Sequence, residues 1–156
     1  MPRNVRKEEV MFVERVLPAA REKLVMITDD APLIEAAKLL GNGTDLVVVC
    51  APGGVLAGVI TKTDVVSQIS QCQGTSCAMA ASLVMTRDVV LCRPSDGLHD
   101  VWSQMKERGL KNVPIMDEDV RPIGVLNARV ALQILLDESE DEESLLRDYV
   151  MGIGYR

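Results

Sequence analysis

Two stretches of the chain repeat the same order of apolar and polar positions, about 66 residues apart. Each begins with an apolar run of strand length, continues with apolar residues at helical spacing, and then has a second apolar run followed by a turn. The first copy lies at 25–28, 33–40 and 46–50, and the second lies at 89–93, 98–108 and 112–117. Because such a period indicates a repeated structural unit, each copy predicts the order strand, helix, strand, turn, strand, helix.

Each copy closes with a glycine-led segment, GVITKTD at 58–64 and GVLNARV at 124–130. In the first segment a strand is expected to end near Thr61, whose hydroxyl caps a helix beginning at Lys62. The free N–H groups and the positive end of the helix dipole at such a position suit an anion such as phosphate. Asp64, one turn inside the helix, is placed to accept hydrogen bonds from the paired hydroxyls of a sugar.

The second copy is entered through VMTRDVV at 84–90 and contains VPIMD at 113–117. Together with the two glycine-led segments, these motifs resemble the CBS domain, and the tandem pair resembles a Bateman module. The resemblance implies an α/β (α+β) fold of two repeats, each β-α-β-β-α, related by a pseudo-twofold axis and flanked by N- and C-terminal helices. The expected parts are an N-terminal helical segment (1–23), repeat 1 (24–71), a linker (72–83), repeat 2 (84–136), and an acidic segment with a C-terminal helix (137–156).

In that family, two repeats pack sheet to sheet and leave two clefts that bind adenosyl ligands such as AMP, ADP, ATP or S-adenosylmethionine. The resemblance implies that Asp64 binds ribose hydroxyls, that Thr61 meets a phosphate, and that Lys62 adds positive charge. It also implies a slot for the base in the first repeat, lined by Ile27, Thr28 and the start of the next strand, including Val47. The chain is therefore expected to be a regulatory sensor of an adenine nucleotide that is not an enzyme and requires no cofactor.

The second copy departs from this pattern in its glycine-led segment. Asn127 stands where Thr or Ser is usual and can still donate to a phosphate, whereas Val130 stands where Asp is usual and can accept nothing. A hydrogen bond to a charged group is worth about 1.5–3 kcal/mol, so this ribose site is expected to be lost. Arg129 is expected to supply positive charge near the phosphates. We therefore expect one adenosyl ligand per chain.

A simpler interpretation is that Thr61 and Asp64 only cap and stabilise a helix. The chain would then be a ligand-free module that dimerises and docks a partner protein. An enzyme using Cys72 and Cys77 is a third interpretation, but the chain has one histidine and lacks a convincing partner for a nucleophile. The repeat context favours ligand binding.

Composition and charge exclude several classes of function. A net charge of −6 opposes nonspecific nucleic-acid binding, and an aromatic content of 3% leaves few platforms for stacking bases. With no apolar run near ~20 residues and no apolar signal core, we expect a cytoplasmic protein without a membrane partner. Cys50 and Cys92 fall in strand patterns as buried apolar residues. Cys72 and Cys77 lie in a polar connector, where we expect reduced thiols and no metal.

The segments outside the repeats carry apolar stripes. Residues 5–24 predict a helix, kinked or restarted at Pro18, that packs on the outer face of the repeats. Near the C-terminus, an acidic run precedes a stripe formed by Leu145, Leu146, Tyr149 and Val150. A single small module is not expected to bury both stripes, so we expect a homodimer joined through helical faces. The regulated protein partner is unknown from the sequence.

Overall fold

The N-terminal part enters the fold as a short turn followed by a helix. The computed structural model describes residues 10–71 and 78–137. A 3-10 turn spans Val13–Val16, and helix α1 spans Leu17–Glu22 with Pro18 in its first turn. Proline is tolerated there because the first N–H groups of a helix have no intrahelical partner. The predicted restart at Pro18 is confirmed, and the predicted helix before residue 10 lies outside the described residues.

The first repeat contains three strands and two helices in the predicted order. Strand β1 spans Met26–Thr28, helix α2 Leu33–Gly41, strand β2 Val47–Cys50, strand β3 Leu56–Ile60, and helix α3 Lys62–Gln71. β2 lies between the other two strands, parallel to β1 and antiparallel to β3. All of its residues are buried, which explains their uninterrupted apolar pattern.

The second repeat follows the same order after a short helix. Helix α4 spans Ala81–Val84, helix α5 Leu98–Arg108, strand β4 Asn112–Met116, strand β5 Pro122–Asn127, and helix α6 residues 128–137. β4 and β5 pair antiparallel. The α/β architecture of two repeats is therefore confirmed. The connector at 72–77, with Cys72 and Cys77, and the C-terminal segment after residue 137 lie outside the described residues.

The strand predicted at 89–93 is wrong in extent, because only Cys92 is paired. Cys92 forms a parallel bridge with Ile115 of β4. The pairing does not continue because each bond that would extend it next needs the N–H group of a proline. Pro94 cannot donate to Met116 O, and Pro114 cannot donate to Val90 O.

The N-terminal segment is part of the core of the second repeat. It contributes four buried side chains to one cluster with α5, β4 and β5, namely Val13, Val16, Leu17 and Ala20. Two residues predicted to share this stripe, Val10 and Phe12, are instead 53% and 48% exposed. The prediction of a helix on the outer face of the repeats is therefore wrong, since these side chains form a layer of the core itself.

The segment before the second repeat packs in return on the first. Ala81 and Met85 are buried with side chains of α2, β2 and β3. Ala81 N–H also donates to Ala31 O (2.7 Å), which ties α4 to the entrance of α2. Each repeat is thus completed by the segment that precedes the other one. A further buried cluster joins β2 and β3 to β5 through Leu46, Val48, Cys50, Val59 and Val125, which packs the two sheets against each other.

Candidate functional site

Helix α3 begins with a capping box formed by Thr61 and Asp64. Thr61 N–H donates to Asp64 Oδ2 (2.9 Å), and Thr61 Oγ1 donates to the same oxygen (3.2 Å). In return, Asp64 N–H donates to Thr61 Oγ1 (3.4 Å). These bonds satisfy N–H groups that a helix leaves free at its start. Because the preceding residue, Ile60, is fully buried, the box is anchored at the end of a core strand.

The Asp64 carboxylate also contacts the segment that leads into the second repeat. Thr86 Oγ1 donates to Asp64 Oδ1 (3.2 Å). The backbones meet at the same place, since Val59 and Thr86 exchange two N–H···O bonds of 3.0 and 2.8 Å. Gly58 permits this approach, because a Cβ there would lie 2.7 Å from Thr86 O. The carboxylate is therefore held in place, and its oxygens keep lone pairs for further donors.

A cleft of about 560 Å³, here called the Asp64 cleft, opens beside the start of α3. Its apolar lining includes Val59, Val89 and Leu110. Its charged lining comprises the cations Lys62, Arg108 and Lys111 and the carboxylates Asp45, Asp64 and Asp88. Such a volume, with apolar walls and a few convergent polar groups, is typical of small-molecule sites.

The structure brings Thr61, Lys62 and Asp64 together in this cleft, in the positions that the sequence suggested for them. Of the predicted base slot, only the start of the strand, at Leu46, lines this cleft. Val47 is fully buried in the first core, and Ile27 packs against that core. Thr28 Oγ1 donates to Asp30 Oδ1 (2.7 Å) in the neighbouring turn. The position of the base stays a prediction, and the described lining from 86–90 and 108–112 comes from the second repeat.

Two further predicted residues, Asn127 and Arg129, lie at the start of α6. Asn127 Oδ1 accepts from the N–H groups of Arg129 (3.0 Å) and Val130 (3.2 Å), so it caps this helix. Asn127 Nδ2 donates to Asn112 Oδ1 (3.0 Å). Among the described residues that line the Asp64 cleft, neither Asn127 nor Arg129 is present. The cations of the cleft besides Lys62 are Arg108 and Lys111, which the sequence did not single out.

The counterpart cleft lies where the pseudo-twofold axis repeats these segments, and it is smaller. It encloses about 180 Å³ between the end of α1, the start of β2 and Asn112. Asn127 and Val130, the counterparts of Thr61 and Asp64, instead line a separate space of about 10 Å³. The counterpart of Thr86 is Ala20, which packs closely on Gly124. A Cβ built on Gly124 would lie 3.0–3.2 Å from atoms of Ala20. Close apolar packing thus occupies the place of the hydrogen-bonded carboxylate.

Several residues of the Asp64 cleft escaped the sequence analysis, notably Thr86, Asp88, Arg108 and Lys111. The motif VMTRDVV had drawn attention to the first two, but only as the entrance to a repeat. The remaining signal lay in the turn after α5, where two cations flank Gly109 and Leu110. No local pattern indicates that this turn faces α3 of the other repeat.

The described cysteines are unsuited to thiol chemistry. Cys50 and Cys92 are buried, as their strand patterns predicted. Burial raises the pKa of both thiols, and with a smaller contribution from the Asp96 carboxylate the pKa of Cys92 reaches about 12. Reactive thiols need the opposite shift. Within residues 10–71 and 78–137, no group of three or more His, Cys, Asp or Glu side chains could hold a metal ion.

Comparison with known protein families identifies the family to which this fold belongs. The model of the CBS domain matches the chain twice, at residues 13–71 and 80–137. The chain belongs to the CBS domain family. Both matches include the entrance segment that packs on the other repeat, so the CBS unit in sequence is not the unit that packs together in space.

Solved structures of CBS proteins share the fold. A CBS-domain containing protein from Agrobacterium tumefaciens superposes with a TM-score of 0.67 at 24% identity, covering 80% of this chain and 92% of that one. The CBS domain pair of protein MJ0100, in complex with 5-methylthioadenosine and S-adenosyl-L-methionine, gives 0.67 at 19% identity, covering 83% and 98%. CBSX2 in complex with AMP gives 0.71 at 19% identity, with the same coverage.

Two curated relatives are much longer than the part they share with this chain. The choline transport ATP-binding protein OpuBA of Bacillus subtilis (strain 168) is 32% identical over 86% of this chain and 34% of its own length. A homoserine O-acetyltransferase of Methanosphaera stadtmanae is 30% identical over 72% of this chain and 24% of its own length. The chain therefore spans about a third or less of these relatives. In the part that the structure describes, no helix is long and apolar enough to cross a membrane.

Proposed function

We propose that this CBS pair is a regulatory module that binds one adenosyl ligand in the Asp64 cleft. The observation that carries the proposal is the fixed Asp64 carboxylate at the mouth of a cleft of about 560 Å³, beside the N-terminus of α3. A carboxylate so placed accepts hydrogen bonds from two vicinal ribose hydroxyls. The simpler interpretation, a helix cap alone, accounts for the bonds between Thr61 and Asp64 but not for the cleft with three cations beside them.

The lining of the cleft suits the other parts of such a ligand. Lys62, Arg108 and Lys111 offer positive charge to phosphates, and the N–H groups at the start of α3 add to it. Val59, Val89 and Leu110 offer apolar surface to a purine ring. The adenosyl ligands of MJ0100 and CBSX2 support this class of compound. We propose an adenine nucleotide (AMP, ADP or ATP) in preference to S-adenosylmethionine. The three cations of the cleft attract phosphates and repel the positively charged sulfonium group of S-adenosylmethionine.

The output of the module is regulation of another protein in the cytoplasm. The relatives that share its sequence carry different names, a transport ATP-binding protein and an acetyltransferase, and it matches only 34% and 24% of them. A segment common to such different proteins is more readily a regulatory module than a catalytic domain. The regulated partner itself is a protein of unknown identity.

The test is a thermal-shift and calorimetric panel of AMP, ADP, ATP, S-adenosylmethionine and 5-methylthioadenosine. The informative variant is Asp64→Asn, which keeps one oxygen for the capping box but removes the charge. Because hydrogen bonds to charged groups contribute about 1.5–3 kcal/mol, we expect binding of the best ligand to weaken at least about tenfold.

Asp30→Asn is the matched control, since it removes the same charge from an exposed carboxylate of the first repeat that is bonded to Thr28. We expect it to leave affinity unchanged. Equal weakening by the two variants would show a general charge effect. Binding of none of the five ligands to the wild-type chain would leave the ligand-free interaction module as the better account.

We also infer that the module forms a homodimer, though not for the reason that the sequence suggested. Val13, Val16 and Leu17 are buried within the chain itself, and the C-terminal stripe lies outside the described residues. The most exposed apolar residues lie on two helices outside that stripe: Val66 and Ile69 lie one turn apart on α3, and Leu83 on α4 is 70% exposed. Light scattering of the wild type should give twice the chain mass, and Val66→Asp with Ile69→Asp should give the mass of one chain. A monomeric wild type would refute the inference.

A further inference from the structure

A pair of asparagines joins the two strands of the second repeat at the edge of the Asp64 cleft. Asn112 begins β4 and stands opposite Asn127, the last residue of β5. The backbone N–H groups of Arg129 and Val130 both donate to Asn127 Oδ1, so that oxygen must face α6. The amide nitrogen of Asn127 is thereby turned toward Asn112, whose Oδ1 accepts from it at 3.0 Å. The helix cap thus determines the orientation of both side chains.

This orientation leaves a donor group at the cleft. Asn112 uses its oxygen for Asn127, so its Nδ2 group keeps both hydrogens for other acceptors. No hydrogen bond joins Nδ2 of Asn112 to any residue in the described ranges. Asn112 is half-buried and lines both the Asp64 cleft and its smaller counterpart, and only the Asp64 cleft has the carboxylate proposed for the ribose. A half-buried amide of fixed orientation at an apolar wall is a specific donor for a ligand.

The equivalent position of the first repeat shows that the fold does not require this amide. Leu46 stands there, 66 residues earlier, and it is buried in the cluster between the sheets. Leucine and asparagine are similar in size but differ in hydrogen bonding. The asparagine is therefore not needed to fill space in this fold, and its polarity has another explanation.

We propose that Asn112 is a specificity-determining residue that donates a hydrogen bond from Nδ2 to a ring nitrogen of the purine bound in the Asp64 cleft. Asn127 is its positioning residue, since it holds the amide in the donor orientation. The proposal rests on the proposed adenosyl ligand and adds a side-chain contact that reads the base. It implies that purines with an acceptor nitrogen at the contacted position bind better than purines with a carbon there.

The test combines variants of the protein with variants of the ligand. Calorimetry compares AMP with its 1-deaza, 3-deaza and 7-deaza analogues, each of which replaces one ring nitrogen by a C–H group. In the wild type, one analogue should bind about 3–10-fold more weakly than AMP, which is the effect of one hydrogen bond. The Asn112→Leu variant should bind AMP more weakly than the wild type by a similar factor, and it should bind AMP and that analogue with equal affinity.

Asn127→Asp separates the positioning role from folding. Aspartate caps a helix as well as asparagine does, so α6 should keep its cap. It offers no donor to Asn112 Oδ1, however, and the Asn112 amide should rotate and donate Nδ2 to the new carboxylate. We expect a thermal midpoint close to that of the wild type and the same loss of discrimination between AMP and the analogue as in Asn112→Leu.

The outcomes are distinct. Absence of binding of all five adenosyl compounds by the wild type overturns both the proposed function and this proposal, whereas binding of another of the five without AMP overturns this proposal alone. AMP binding that requires Asp64 but is unchanged by Asn112→Leu overturns the role of Asn112 and leaves the proposed function standing. Equal weakening of all three analogues, or discrimination that survives in Asn127→Asp, likewise overturns the contact that we propose.

Discussion

The Asp64 cleft and its counterpart are built from equivalent segments, yet only the first has the Thr61–Asp64 capping box on its wall. Three pairs of residues distinguish them, and in each pair the first cleft carries a hydroxyl or a charge: Thr61 against Asn127, Asp64 against Val130, and Thr86 against Ala20. The volumes also differ, about 560 Å³ against about 180 Å³.

The two places also differ in how they contribute to stability. On one side, Asp64 receives hydrogen bonds from Thr61 and Thr86 and stays half-buried at an open cleft. On the other side, Val130 and Ala20 border a space of about 10 Å³, so apolar contact replaces polar contact. Burying apolar surface stabilises a fold without a ligand, whereas a solvated carboxylate contributes most when a donor arrives.

The largest expected effect is on the close approach at the two glycines. Gly58→Ala should destabilise the fold by about 2–4 kcal/mol, because its Cβ would lie 2.7 Å from Thr86 O and would separate the backbones that frame the Asp64 cleft. Gly124→Ala should cost less, about 1–3 kcal/mol, since its nearest contact is the Ala20 methyl at 3.0 Å. Urea unfolding and AMP calorimetry measure both effects, and only Gly58→Ala should also weaken binding.

Gly41→Ala is the control for these variants, because no atom lies within 4 Å of the new Cβ. In the last turn of α2 it should be neutral or stabilising by up to about 1 kcal/mol. If Gly58→Ala were as harmless, the close contact with Thr86 would not constrain the first cleft.

A second prediction concerns occupancy. Calorimetry with AMP should give one site per chain, with any binding to the counterpart cleft at least about tenfold weaker, because Val130 cannot replace a charged acceptor. Val130→Ala should leave the stoichiometry and the affinity unchanged, since this side chain lies outside the Asp64 cleft. Two sites of equal affinity in the wild type would remove the distinction between the clefts.

A third prediction makes the first cleft resemble the second at one atom. Thr86→Val keeps the shape of the side chain but removes the hydroxyl that donates to Asp64 Oδ1. Loss of this bond should free the carboxylate to rotate. The affinity for AMP should then fall about 3–10-fold, which is the effect of one ordinary hydrogen bond. Tighter binding in the variant would mean that Thr86 competes with the ligand for Asp64, which would reverse the role given to it here.

The smallest expected effect is at the turns that close the two hairpins. Val120 has a φ of 61°, and its counterpart Gly54 has a φ of 88°. A β-branched residue is strained in this left-handed region, whereas asparagine tolerates it. Val120→Asn should therefore stabilise the fold by about 0.5–1 kcal/mol in urea unfolding without changing AMP affinity. Destabilisation would show that contacts of the valine side chain outweigh the backbone strain.

The sequence by itself determined the local elements. Apolar spacing placed α5 at Leu98–Arg108, and Gly109, with its φ of 69°, ends that helix as expected of a glycine in the left-handed region. The cap formed by Thr61 and Asp64 could also be predicted, because its two residues are three positions apart and interact locally, independently of tertiary contacts. The two-repeat architecture followed from the register of these motifs.

Only the tertiary structure decided which segments meet. The sequence analysis placed the base beside Ile27, Thr28 and Val47, in the repeat that contains Asp64, and it placed the N-terminal stripe on an outer face. The stripe is instead buried in the core, because the repeats exchange their entrance segments. The position of the base stays a prediction. Apolar spacing reports that a face is buried but not against which partner, since burial of apolar surface is nondirectional. Contacts between distant residues, such as Thr86 with Asp64 or Asn127 with Asn112, therefore depend on the folded chain.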